Sequence, residues 1–260
     1  MVMEVMVAVG GALVALLAFL LGDRLRPAGW RQSSDESSGT LVFDLIKTFF
    51  AAIVAFVVVI CWQQYDNARG RTVAEANALI ETYWAAHSMP GPEREQIQQQ
   101  VHDYTTSVVT QEWPVMDRDQ RLDPQTQATF DRLRDTVQQL RPADPYESTL
   151  RANALSGLDK VADARHYRAN SAAHGIPGFL YVALYIAAAL LLLSPVLSGV
   201  RVSRRSVVMI ALLGVVIGSV LLQIHNLDHP FAGGDVVPAD TFRLALEQFQ
   251  PTTGPVQHAS

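Results

Sequence analysis

The chain has one cysteine in 260 residues, Cys61, which excludes an intrachain disulfide framework and a zinc-ribbon site. Its simplest reading is a small apolar residue near a helix end. Basic residues are in slight deficit, with a formal net charge of -5, which argues against a nucleic-acid partner. No glycine-rich phosphate loop, nucleophile elbow or HExxH motif occurs, so enzyme chemistry has no constellation to stand on and no cofactor is expected. Neighbouring carboxylates such as Asp117 and Asp119, or Asp131 and Asp135, read as ordinary surface charges. No run alternates with period two, which removes the case for a sheet. There is also no inverted repeat and no pair of glycine-broken spans of the kind that marks a transporter's midplane site.

What is present is apolar sequence in blocks. A hydrophobic share of 49% and a mean hydropathy of +0.15 are high for a soluble protein and low for one wholly embedded in lipid. That balance predicts membrane spans joined to a polar domain. Val2 to Leu21 is long enough to cross a bilayer and carries Glu4 as its only charge. Without a basic n-region or a small-residue cleavage site, it reads as a retained span. Leu41 to Trp62 forms the second, with Asp44 and Lys47 near its start and Trp62 and Tyr65 as interfacial aromatics at its end. Ile176 to about Val200 and Val207 to Ile224 form the third and fourth, and Ser33 to Gly39 reads as a flexible loop within the first hairpin.

The residues between, 63–175, carry helical patterns. Val73, Ala76, Ile80, Tyr83 and His87 recur at helical spacing, as do Ile97, Val101, Tyr104 and Val108 in a glutamine-rich helix from Glu95 to Thr110. Asp123-Pro124 and Asp144-Pro145 open two more helices, with Glu147 completing a capping box. These present Phe130, Leu133, Val137 and Leu140, then Leu150, Ala154, Leu158 and Val161. Trp113-Pro114 reads as a bend between helices. The expected fold is an all-α, four-span integral membrane protein. A helical polar domain (63–175) is inserted between two transmembrane hairpins (1–62 and 176–225), and a tail (226–260) follows.

In "IHNLDHPFAGG", His225, Asp228 and His229 lie within about one turn. Such a trio at a helix end can converge on a metal. The other reading is a helix stop, in which Pro230 ends the helix, Phe231 packs and Gly233-Gly234 turns the chain.

Four segments in order, EANALIETYW from Glu75, REQIQQQVHDYTTSVVTQEWPVM from Arg94, HGIPGFLYVAL from His174 and LDHPFAGGDVVPADTFRLAL from Leu227, resemble the bacterial bestrophin-like membrane family, related to the bestrophin chloride channels. The resemblance covers most of the chain from the second span onward. It implies structural roles for Glu75, Asn77, Tyr104, Glu112, Trp113, Pro114, Pro177, Asp228, Pro230, Phe231 and Gly233. It leaves His225 and His229 outside the pattern, which favours the helix stop over a metal.

The resemblance also implies a homo-oligomer in the lipid bilayer, a pentamer around an axial pore, with the second span lining the neck and the helical domain forming a vestibule for inorganic anions. Lys47, Phe50, Val54, Val57 and Cys61 share one stripe of that span and are the pore-lining candidates, although Lys47 can pair with Asp44 instead. The function expected is an anion-permeable channel; the alternative is a non-conducting membrane scaffold or regulator that binds a partner through its helical domain. A bacterial inner membrane is the expected location. Orientation draws opposite arguments. Arg24, Arg26 and Arg31, with Arg201, Arg204 and Arg205, put both short loops in the cytoplasm by the positive-inside rule. The resemblance puts the polar domain there. Arg69, Arg71, Lys160, Arg165 and Arg168 at the domain's own junctions narrow the rule's margin, and the cytoplasmic domain is the reading adopted.

Overall fold

A computed structural model describes residues 2–25, 36–197, 203–233 and 236–249, with only the helical backbone described at residues 2–4, 23 and 36–43. Most of the described residues are helical and none lies in a strand. The helices are α1 (Val2–Leu25), α2 (Glu36–His87), α3 (Gly91–Ser107), α4 (Trp113–Asp119), α5 (Pro124–Gln139), α6 (Pro145–Ala173), α7 (Gly178–Leu197), α8 (Arg204–Asp228) and α9 (Asp240–Phe249). A π-helical turn, Val108–Glu112, links α3 to α4. Windows apolar and long enough to cross a membrane lie in Val5–Gly22, Asp44–His87, Pro145–Leu197 and Arg204–Asp228.

The second of these is far longer than a span requires. α2 has 52 residues, about 78 Å of helix, against a hydrocarbon core of about 30 Å. Its apolar part ends at Trp62, and the polar remainder supplies the helix expected over Thr72 to His87. The helix runs on through Trp62 without a break, and no proline falls between Glu36 and His87. Part of the expected loop is also helical. Glu36 to Gly39 belong to α2, whose acidic first residue suits a helix N-terminus. Ser33, Ser34 and Asp35 lie outside the described residues, as do Arg26, Arg31, Arg201 and Gly234.

Two compact units result, one of residues 1–63 and 176–228 and one of residues 64–175 and 229–260. In the first, α1 packs along α8 through small residues. A Cβ added at Gly214 would stand 2.6 Å from the Ala15 Cβ and 2.9 Å from the Gly11 carbonyl carbon, so the two backbones are in direct contact there. Ala15, Phe19 and Ile210 bury themselves beside this crossing.

The second unit has a conventional core built from the expected stripes, including Ile97, Val101, Phe130, Leu133, Leu158 and Val161. Both proline-led helices are capped as expected. The Thr126 N–H donates to Asp123 Oδ2 at 2.8 Å, and the Glu147 N–H donates to Asp144 Oδ1 at 2.7 Å. Glu147 reaches back to the Ala143 N–H at 2.7 Å, one residue beyond the usual capping-box partner. The polar part of α2 is turned by about one residue from expectation. Val73 and His87 are exposed, while Thr72, Glu75, Ala76, Leu79, Thr82 and Ala86 are buried. Trp113-Pro114 is not a simple bend. The chain stays helical through Trp113, at φ -57° and ψ -49°, and the preceding π turn takes up the irregularity.

Candidate functional site

In the membrane unit, the stripe Phe50, Val54, Val57 and Cys61 faces α7 and α8 of the same chain. Val57 and Cys61 have no exposed surface, packed with Ile176, Leu184 and Ile224, while Phe50 and Val54 are half-buried on the same cluster. Lys47 is exposed and bonded to Asp44 at 3.1 Å. The other face of α2 is bare: Leu45, Phe49, Phe56, Val59 and Trp62 are each 51–65% exposed.

The family-pattern residues of this unit tie its second hairpin together. Asp228, at the end of α8, is 2% exposed and accepts the Ile176 N–H just before α7, together with the Tyr181 hydroxyl at 2.8 Å. A carboxylate from one helix thus caps the start of the other. Pro177 is exposed and its carbonyl accepts the Leu180 N–H at 2.9 Å, opening α7. His225 is exposed and His229 half-buried. Among the described residues, no three His, Cys, Asp or Glu side chains converge as a metal site.

In the polar unit, four charged residues meet in the core: Glu75 from α2, Glu112 from the π turn, and Arg165 and Arg168 from α6. Both glutamates have no exposed surface, and the two arginines are 3% and 1% exposed. Arg165 grips Glu112 with two bonds, Nη1 to Oε1 at 2.7 Å and Nη2 to Oε2 at 2.6 Å, and sends Nε to Gln127 Oε1 at 2.7 Å. Arg168 Nη2 forms an ion pair with Glu112 Oε1 at 2.7 Å and donates a hydrogen bond to Glu75 Oε1 at 3.0 Å. The Tyr104 hydroxyl donates to Glu75 Oε1 at 2.7 Å and accepts from Arg165 Nη1 at 3.2 Å. Burial pushes that hydroxyl well above the usual tyrosine range, so it keeps its proton and serves as a donor.

Aromatic rings complete the cluster. The Arg168 guanidinium carbon lies 5.1 Å from the centroid of Trp113 and 5.7 Å from that of Phe242, and that of Arg165 lies 5.8 Å from Tyr104. Trp113 is the hub for the tail. Its Nε1–H donates to the Val237 carbonyl at 3.0 Å, and its ring meets Phe231 edge-on at 5.8 Å and Phe242 at 5.4 Å. The Val237 N–H closes the tail's turn on the Pro230 carbonyl at 2.7 Å. Gly233, at φ +106°, sits where an L side chain would be strained. Pro114 and Asn77 are exposed and outside the cluster.

Glu75, Tyr104, Glu112 and Trp113, read separately in the sequence, are thus parts of one network. Their partners Arg165 and Arg168 were read only as junction charges. The missed signal was positional. Ala154, Leu158 and Val161 continue at alternating steps of four and three to Arg165, Arg168 and Ala172, so both arginines occupy the buried stripe of α6. A charge on such a stripe requires a buried partner.

A Bestrophin-like domain profile matches residues 9–242. Among solved structures, a bacterial bestrophin homologue from Klebsiella pneumoniae superposes in two forms. A point mutant gives a TM-score of 0.66 at 13% identity, and a form phased on zinc gives 0.62 at 13%, each covering 95% of this chain and 96% of the other. A crystal structure described as a membrane protein matches at a TM-score of 0.62 and 15% identity, covering 93% of this chain and 96% of that one. No curated protein matches the sequence. With nine-tenths of its length inside that profile and its fold shared with a bacterial bestrophin homologue, the chain belongs to the Bestrophin-like family.

Proposed function

We propose that this protein is an oligomeric, anion-permeable channel of a bacterial inner membrane, with its polar domain in the cytoplasm. The observation that carries the reading is the family match over residues 9–242 on a chain with four helices apolar enough to cross a bilayer. In this reading several copies, five by analogy with bestrophins, surround an axis and α2 forms its wall.

Side-chain burial shifts which residues of α2 serve that wall. Val57 and Cys61 are covered by α7 and α8 of their own protomer, so they support it from behind. The surface left for the axis is the opposite face, where Phe49 and Phe56 lie two turns apart and are 65% and 60% exposed. A ring of phenylalanines gates by excluding water until it widens. Lys47, paired with Asp44, offers an incoming anion only part of its charge.

The test is chloride flux through proteoliposomes of the purified protein, with protein-free vesicles as the blank. Flux above the blank is expected, increased by Phe56→Ala and changed little by Phe50→Ala. The reverse order would return the constriction to the Phe50 stripe. Absence of flux for several anions and cations would refute the channel and favour the scaffold.

A further inference from the structure

One cleft of the polar unit lies outside the buried charge network. It has a volume of about 270 Å³ and sits where α2, α3 and α9 meet, lined by Tyr83, Glu95, Gln98, Gln99, His102 and Phe249. The four residues from α3 fall at positions i, i+3, i+4 and i+7, so they form one row along a single face of that helix. Tyr83 and Phe249 add an aromatic wall, with their rings stacked at 4.7 Å.

The polar groups of this cleft are engaged in one sense. The Tyr83 hydroxyl donates its proton to the Phe249 carbonyl at 2.6 Å. Gln99 Nε2 donates to Asp103 Oδ1 at 2.8 Å, and because a carboxylate only accepts, that bond fixes the amide with its oxygen turned away from Asp103. Gln98 Nε2 is likewise engaged, 3.4 Å from His87 Nδ1. What remains is rich in acceptors: the Glu95 carboxylate, two amide oxygens and the lone pairs of the Tyr83 hydroxyl oxygen. Among the described residues, no lysine or arginine lines the cleft, so the charge it presents is that of Glu95.

From this geometry we infer that the cleft is a binding site for a small primary alkylammonium ion. An ammonium head carries a positive charge and three N–H donors, which match a carboxylate accompanied by carbonyl oxygens. Its hydrocarbon tail rests on the Tyr83 and Phe249 rings, and aromatic faces also favour a cation. An anion would meet the Glu95 carboxylate with no cationic partner beside it, so the site selects against the ions of the proposed pore. Its volume falls just below the roughly 300–1,000 Å³ of pockets for drug-sized ligands, which suits a chain of a few carbons. The inference goes beyond the channel reading and does not depend on it.

Saturation-transfer difference NMR of n-butylammonium with the full-length protein in micelles tests it, with empty micelles as the blank. Binding should saturate, and it should weaken by about tenfold or more in Glu95→Gln, which removes a charge-assisted bond. Glu95 is exposed, so this variant should keep the wild-type circular dichroism. Glu93→Gln is the control. It removes the same charge two positions away, outside the cleft, and should bind as the wild type does. Butanol has the tail without the charge, and tetramethylammonium has the charge without the donors; both should bind about tenfold more weakly than butylammonium, or less. No saturation above the blank, or unchanged binding in Glu95→Gln, would overturn the assignment. Equal weakening in Glu93→Gln and Glu95→Gln would overturn it as well, since the attraction would then be that of a diffuse acidic surface. Equal binding of tetramethylammonium would do the same, because the acceptors would not be read.

Discussion

Gly10 and Gly11 are neighbours in α1, yet the structure assigns opposite signs to the same substitution at the two. A Cβ at Gly10 meets nothing within 4 Å. At Gly11 it would fall 3.2 Å from the Gly214 carbonyl carbon and closer still to its oxygen, and at Gly214 it would press on Ala15 and Gly11. Replacing a helix-interior glycine with alanine is worth about 1 kcal/mol of propensity. Gly10→Ala should therefore be neutral or stabilising by up to about 1 kcal/mol. For Gly11→Ala and Gly214→Ala the obstacle is backbone, which cannot rotate away, so α1 and α8 must separate. Overpacking of this kind costs about 1–3 kcal/mol, which offsets the propensity gain and leaves both variants destabilised by up to about 2 kcal/mol. One separation serves both new methyls, so the double variant should fall short of the sum by about 1 kcal/mol. Unfolding of the three variants and the double in mixed micelles, followed by circular dichroism, measures these differences. Equal shifts for Gly10→Ala and Gly11→Ala would refute the close approach of α1 and α8.

Three further outcomes follow from the polar unit. Glu112→Ala strips both buried arginines of their shared partner and should destabilise by about 3–5 kcal/mol in the same unfolding assay; a change below about 1 kcal/mol would mean that water reaches the cluster. Trp113→Ala removes the ring between Phe231, Phe242 and Arg168 and should cost about 3 kcal/mol, whereas Trp113→Phe should lose about 1 kcal/mol with the Val237 bond. Asp123→Ala should cost about 1 kcal/mol of capping. Burial resists the Asp123 charge, but the Thr126 N–H and hydroxyl outweigh it and hold the carboxyl below its ordinary value. The contribution is thus present above the unfolded value and disappears as pH falls through the folded one, so wild type and Asp123→Ala should converge in acid.

Much of this protein follows from local pattern. Apolar windows of bilayer length, the Asp-Pro caps of α5 and α6, and helical stripes such as Ile97, Val101, Tyr104 and Val108 each depend on residues within a few positions of one another. Such signals survive in a linear string because a helix repeats every 3.6 residues and a bilayer has one thickness. That the described residues contain no strand was equally legible. The continuity of α2 was less so, since the change from apolar to polar residues at Trp62 marks a change of surroundings and leaves the backbone helical.

Tertiary structure alone decided which side of each helix faces inward and what it meets there. Val57 and Cys61 share a stripe with Phe50 in any helical projection, but only the packing of α7 and α8 turns that stripe into the protomer's own core. Glu75, Glu112, Arg165 and Arg168 lie as far as 93 residues apart, and no local period links them. Their charges could have been solvated singly. Folding brings them into one buried cluster because a charge on a buried stripe is stable only beside its complement, and that complement comes from whichever helix packs opposite.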